Sequence, residues 1–372
     1  MKMMKQQQYE WCLLFKNRLF WVLPLLVAAC VIGGIWQSNY KSPTQSAREV
    51  LTNDSETYQQ ALATDKQTIK QNADPAAVQL AKKEQRYVHT IMNAARNGDR
   101  IAYAAALGAY ATKIPSNFAE YSHDSQRVRY LAKHHLPYYA TLEKAAPAVN
   151  RFVEAGLPGM MNVALLTVVA LAAAYFSSLF KAHHHDDFTA LLPLNQHQVA
   201  LNQQVVLTGG LLLALVIGGL LSLVLLSLPH GFGSLKNPFL IEQDTATQQS
   251  QLFTAGSLLV QEFLFLGAFI LLFTAFAYLL QIWHASFVLS LLLLLAIVFG
   301  QQSGLWAASR GFSWAAYLPS AYTNIYWVIV GASSSTSGII SLPWLQGLMV
   351  IVTCWLLATG IIHLALGFER KA

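Results

Sequence analysis

The sequence predicts an all-α polytopic membrane protein, with six transmembrane helices and an extracytoplasmic helical domain. Three observations carry that reading. Hydrophobic residues make up 55% of the chain and charged residues 11%, with a mean hydropathy of +0.40; a soluble domain carries about 25% charge. The apolar residues fall in runs of about 20, the length at which a helix crosses about 30 Å of hydrocarbon. One long polar stretch, 39–157, interrupts the runs. The formal charge of +6 does not point to nucleic acid, because most basic residues lie in that stretch beside nearly matching acids.

Residues 1–18 read as a cytoplasmic amphipathic helix along the membrane surface. Trp11, Leu13, Leu14, Phe15, Leu19 and Phe20 alternate there with Lys5, Lys16 and Arg18. The first span follows at 19–36. Val27-Ala28-Ala29-Cys30 is similar to a lipoprotein cleavage box, but the apolar run continues through Val31, Ile32 and Trp36. A retained span is therefore expected rather than a cleaved leader.

The stretch 39–157 carries helix punctuation. Ser42 or Thr44 starts a helix running to about Gln71. Asp74-Pro75 is an N-cap followed by N1, with a stop at Asn97-Gly98. Asp99 caps a helix toward Lys113, and Asp124 caps another that ends before Pro137. Tyr87, Val88, Ile91, Met92, Ile101, Tyr103 and Leu107 supply apolar faces. The three cysteines, Cys12, Cys30 and Cys354, all lie at or in expected spans, so no disulfide framework supports the domain.

Five further spans are expected at 160–180, 205–228, 253–280, 286–305 and 344–368. Basic residues in short loops set orientation. With both termini cytoplasmic, the inner set is Lys2, Lys5, Lys16, Arg18, Lys181, Arg370 and Lys371, against Lys236 and Arg310 outside. The domain is then extracytoplasmic, and the chain is multi-pass in the cell membrane. The outer stretch 307–342 is too aromatic for a solvated loop, with Phe312, Trp314, Tyr317, Tyr322, Tyr326 and Trp327. A re-entrant or interfacial pair of short helices fits it.

The cytoplasmic loop 181–204, KAHHHDDFTALLPLNQHQVALNQQ, has an apolar side made of Phe188, Leu191, Leu192, Leu194, Val199 and Leu201, with Pro193 in its middle. A loop that only returns the chain to the membrane needs no such side; one that docks on a soluble partner does. With its six spans, its leading amphipathic helix, Ala190-Leu191-Leu192-Pro193-Leu194 in this loop and Tyr317-Leu318-Pro319-Ser320-Ala321-Tyr322 before the last span, the chain resembles the permease subunit of an ABC-2-type transporter. A large outer domain between spans one and two is similar to one branch of that family. Asn195, Gln196 and His197 depart from the family pattern, which often has a Ser or Thr and a basic residue just after the proline.

The resemblance implies an exporter. The loop would hold a coupling helix in a groove of a cytoplasmic ABC ATPase subunit, with force passing through Phe188, Leu191, Leu192, Pro193, Leu194 and Val199. It also implies a second permease, the same or a homologous chain, and membrane lipid around both. This chain has no G-x-x-x-x-G-K-[ST] motif, so ATP and Mg would sit on the partner, and no cofactor is expected here. Nor is the chain expected to be an enzyme: Gly331-Ala332-Ser333-Ser334 fails the G-x-S-G pattern, and no H-E-x-x-H occurs.

Other candidate residues carry weaker signals. Gly210, Ala214, Gly218 and Ser222 set a small-residue face on span three, for helix packing or a dimer seam. Ala170, Ala174 and Ser178 repeat that spacing on span two. Glu262, with Gln261, Gln301 and Gln302, reads either as a polar pathway or as a carboxyl near the outer interface. His183-His184-His185-Asp186-Asp187 reads as a polar turn, because adjacent helical side chains diverge by about 100°; no metal is expected. His363 shows no partner in the sequence. A second functional reading is a membrane sensor or immunity component that binds a peptide or antibiotic through residues 39–157.

Overall fold

A computed structural model describes residues 2–37, 46–71, 74–115, 124–140, 143, 146–158, 161–184, 196–244, 249–300, 317–331 and 344–369. In chain order the helices are α1 (Lys2–Lys16), α2 (Arg18–Gln37), α3 (Ala47–Asp54), α4 (Glu56–Lys70), α5 (Pro75–Asn97), α6 (Arg100–Lys113), α7 (Ser125–Lys133) and α8 (Ala148–Arg151). A π turn, Phe152–Gly156, continues α8. Then come α9 (Met161–His184), α10 (Gln196–His230), strands β1 (Pro238–Asp244) and β2 (Gln249–Thr254), α11 (Ala255–Ile282) and α12 (Phe287–Phe299). A 3-10 turn at Pro319–Tyr322, α13 (Ile325–Val330) and α14 (Trp344–Glu369) complete the order. The chain divides into two units.

The first unit is Met1–Gln37, Gly156–Leu225 and Leu259–Ala372. Among the described residues five helices are long and apolar enough to cross a membrane: α2, α9, α10, α11 and α14. Of the fifth expected span, 286–305, the structure describes α12, an apolar helix of 13 residues; residues 301–305 lie outside the described ones. Leu25, Leu220, Leu292, Leu357 and Leu364 are exposed on these helices. That is the pattern a hydrocarbon solvent favours, since helices satisfy their own backbone polar groups there. Inside, Phe20, Phe176, Phe265, Phe269 and Phe273 are fully buried. Helix α9 packs on α2 and α12, and at Gly34 the approach is so close that an added Cβ would stand 2.9 Å from the Met161 Cβ. The 3-10 turn packs on α12 and α14. Tyr322 covers Gly347, where a Cβ would lie 2.5 Å from its ring.

The second unit is Ser38–Ala155 and Leu226–Leu258. Its core joins Leu51, Tyr58, Val88, Ile91, Tyr103, Leu107, Tyr110 and Leu131 from α3 to α7. The punctuation read from the sequence recurs with two changes. Asp74 accepts from the Ala76 amide, and Pro75 opens α5. Gly98 ends α5 at φ 69°, a left-handed conformation that costs glycine nothing. Asp99 accepts from the Ile101 and Ala102 amides to open α6. The single helix expected up to Gln71 instead starts after Ser46, whose hydroxyl and the Glu49 carboxylate form a reciprocal capping box. It also breaks at Ser55, whose hydroxyl is taken up by the Thr52 carbonyl at 2.8 Å. Asp124 stands at the start of α7 without a side-chain cap bond.

The β-hairpin is the addition to an otherwise helical fold. Its strands pair antiparallel with Phe239 opposite Phe253 and Leu240 opposite Leu252, and both phenylalanines are buried. The fourth span was expected from 253, but Phe253 and Thr254 belong to β2, and the helix begins at Ala255. The chain leading into the hairpin is tied to the end of the domain. The Ala148 amide donates to the Gly231 carbonyl at 3.0 Å and the Val149 amide to the Phe232 carbonyl at 3.1 Å. Gly233, at φ 88°, lies against Pro147 with no room for a Cβ.

Candidate functional site

Two groups of buried polar side chains concern the candidate site. One gathers around the second half of the 181–204 stretch, which forms the start of α10. Gln6 and Glu10 stand one turn apart on α1, and the Gln6 amide donates to the Glu10 carboxyl at 2.9 Å. Asn202, in the second turn of α10, donates to the Gln6 oxygen at 3.1 Å. All three are almost fully buried. Burial pushes the Glu10 carboxyl up to about 8, with the Gln6 bond pulling weakly the other way. At neutral pH the cluster is therefore uncharged, which suits its apolar setting. Helix α1 is thus not held by its apolar face alone; a hydrogen-bonded relay fixes it to α10.

The same region carries two more ties. The Lys181 ammonium, at the end of α9, donates to the Gln281 carbonyl at 2.8 Å and lies 3.3 Å from the His284 Nδ1. His197 and His363 approach through their Nδ1 atoms at 3.2 Å, with ring centroids 5.4 Å apart. That centroid spacing fits two rings pointing at each other across one N–H···N bond. His363, solitary in the sequence, therefore links α14 to the start of α10. Beside it, Ala200, Ala275, Leu279, Ala358, Ile362 and Leu366 form an apolar cluster among α10, α11 and α14. The loop-flanking residues thus reach α1, α9, α10, α11 and α14 within two turns.

Of the residues expected to transmit force, Val199 is described, and it is buried. Phe188, Leu191, Leu192, Pro193 and Leu194 lie outside the described residues, as do His185, Asp186 and Asp187. Among the described residues no three His, Cys, Asp or Glu side chains come together to hold a metal ion. The small-residue face of α10 turns toward the chain's own N-terminal helices. A Cβ on Gly210 would meet Leu14 at 2.4 Å, and one on Gly218 would meet Val27 and the Pro24 carbonyl at 2.5 and 2.6 Å. Ala214 and Ser222 are buried, and the Ser222 hydroxyl donates to the Gly219 carbonyl of its own helix. On α9, Ala170 and Ala174 are fully buried.

The second group is Glu262 with Asn162. Glu262 is 3% exposed, and neither carboxyl oxygen has a hydrogen bond among the described residues. Asn162 is its polar neighbour and donates to the Leu157 carbonyl at 3.3 Å, leaving its own oxygen unpartnered. Glu262 lies seven residues into α11, about 10 Å from its start at 1.5 Å per residue, and Asn162 stands in the first turn of α9. Both belong to the opposite end of the bundle from the Lys181 ties. Gln301 and Gln302 lie outside the described residues, so the pathway grouping reduces here to Glu262, Gln261 and Asn162.

Two features escaped the sequence reading. The Gln6–Glu10 pair had a signal, an i,i+4 spacing on an amphipathic helix. The His197–His363 pair had none, because 166 residues separate its members. Comparison with protein-family models, with curated proteins and with solved structures finds no match to this chain.

Proposed function

We propose that the chain is the membrane-spanning subunit of an ATP-driven exporter of the ABC-2 type, coupled to a separate cytoplasmic ATPase. The observation that supports this most is the set of ties around the 181–204 loop. A push there meets Lys181, His197, Val199 and Asn202, and through them α11, α14 and α1. Such ties would carry a local shift at the loop into several helices at once.

The six-span arrangement has its own support. If α9 and α10 both cross, residues 39–157 and 229–252 must share one side, and the Ala148–Gly231 and Val149–Phe232 bonds join those two segments. Residues 6–10, 181, 197–203, 281–284 and 363 must share the other, and the Gln6–Asn202, Lys181–His284 and His197–His363 pairs join them. In this reading α12 and the residues after it make the fifth crossing. Both termini are cytoplasmic, and the helical domain faces outward.

The test is purification of the tagged chain in mild detergent, with an ATPase assay of what accompanies it. A P-loop ATPase should copurify, and Leu192→Asp should release or uncouple it while insertion is unchanged. A chain that purifies alone, or a Leu192→Asp variant that transports normally, overturns the proposal; ligand binding by residues 39–157 in that case supports the sensor reading.

A further inference from the structure

The helical domain holds a second acid site, independent of the exporter reading. Asp65 lies in α4 and is 7% exposed, with its Oδ2 buried and without a partner among the described residues. Glu84 lies on α5, which packs against α4, and is 3% exposed. The Tyr110 hydroxyl of α6 donates to Glu84 in a short hydrogen bond. Tyr58 of α4 meets the Tyr110 ring edge-on, and Tyr87 of α5 stacks on it. These phenols and the two carboxyls are titratable groups at the junction, and neither of the described ion pairs of the domain involves Asp65. Asp54, at the end of α3, belongs to a separate group with Tyr103, Tyr138 and Arg127.

We propose that Asp65 is a proton-operated clasp, which holds α4 on α5 when its carboxyl carries a proton and loosens when it is ionised beside Glu84. Two buried carboxylates, with no ion pair to Asp65 among the described residues, repel each other across the junction between α4 and α5. A proton on Asp65 removes that repulsion and gives the orphaned oxygen a hydrogen to donate. Burial first, and the Glu84 charge second, push the Asp65 carboxyl up to about 7. The sign follows. A carboxyl whose folded value is raised stabilises the closed junction fully below its unfolded value of about 3.9. That contribution is lost as pH climbs through about 7. The domain would therefore loosen as its surroundings pass from mildly acidic to mildly basic.

The experiment is hydrogen exchange of the full chain in detergent micelles at pH 6 and pH 8, corrected for intrinsic exchange and read on peptides from residues 56–70. Opening of α4 should be about tenfold more frequent at pH 8 in the native protein. It should be independent of pH in Asp65→Asn, with an intermediate dependence in Glu84→Gln. Asp65→Ser serves as a second variant lacking the carboxyl, should the asparagine substitution perturb folding. An equal pH response in native protein and in both Asp65 variants, or no response in the native protein, overturns the proposal.

Discussion

The two units differ in how they pair charge: both ion pairs among the described residues lie in the helical domain, although that domain too leaves atoms of Asp65, Arg127 and Asn150 without a partner. In the helical domain the Arg100 guanidinium pairs with Glu143 and also donates to the Tyr138 carbonyl at 3.0 Å. The Tyr103 hydroxyl gives its proton to Asp54 at 2.7 Å, and Arg127 donates to the Tyr139 carbonyl at 2.7 Å. In the bundle, Glu262, Asn162, Gln261 and Asn202 each keep an oxygen unpartnered among the described residues. Each unsatisfied buried group costs stability. A membrane bundle draws its stability from close helix packing and tolerates such groups where a path or a moving part needs them. A paired group such as Glu143 is therefore structural, whereas an unmet one such as Glu262 is a functional candidate.

Substitutions that remove one polar partner should separate the two most sharply. Glu143→Gln strips the charge from a carboxylate that is 3% exposed and leaves Arg100 half-satisfied. Breaking a buried pair from one side costs about 3–5 kcal/mol. Thermal unfolding followed on the domain, with exchange of α6 peptides as a local readout, should show a loss of that size. In the bundle the sign should reverse. Glu262→Met replaces an unpaired buried carboxyl with an apolar side chain of similar length. It should stabilise the purified protein by about 1–3 kcal/mol, the desolvation penalty of an unmet group. A loss of stability in Glu262→Met would show that Glu262 is structural, and the contrast between the units would fall.

Packing offers a comparison inside one helix. Gly218 and Gly219 are neighbours on α10, yet a Cβ on Gly218 collides with Val27 and the Pro24 carbonyl, whereas one on Gly219 meets nothing within 4 Å. Gly218→Ala should destabilise the bundle by about 1–3 kcal/mol through overpacking. Gly219→Ala should be neutral or slightly stabilising, since alanine is the better helix former. Unfolding of both variants in mixed micelles reads the difference. Equal effects would mean that the small-residue face of α10 does not pack on α2 in the membrane.

What was legible in the sequence follows the physics of each unit. Long apolar runs announce spans because hydrocarbon demands them, so α2, α9, α10, α11 and α14 fall where hydropathy puts them. The residues that tie these spans together are spread along the chain, and hydropathy carries no record that His197 faces His363 or that Asn202 reaches Gln6. The hairpin was missed because its strands are six and seven residues long, and β2 runs without a break into an apolar helix. Composition could not separate Phe253 from the span that follows. In the domain the reverse holds. Asp74-Pro75, Gly98 and Asp99 mark helix ends in the sequence itself, because in water the unpaired amides and carbonyls of a helix end are satisfied locally. The break at Ser55 left no such mark, since serine is tolerated inside helices as well as at their ends.

Those caps make the smallest and cleanest test of the contrast. Asp99 accepts from two amides at 3.0 and 2.9 Å, and its backbone carbonyl accepts from Tyr103 at 2.9 Å. Asp99→Ala keeps the carbonyl and removes the side-chain acceptor, leaving two amides to water. The expected loss is about 1 kcal/mol, read as faster exchange in the first turn of α6 with exchange of the α9–α11 peptides unchanged. Ser286 caps α12 in the same manner, accepting from the Leu289 amide at 3.3 Å, but in the unit whose helices are bounded by hydropathy. If caps matter only where water competes for helix ends, Ser286→Ala should cost less than Asp99→Ala. An equal cost would mean that the start of α12 is as wet as the start of α6.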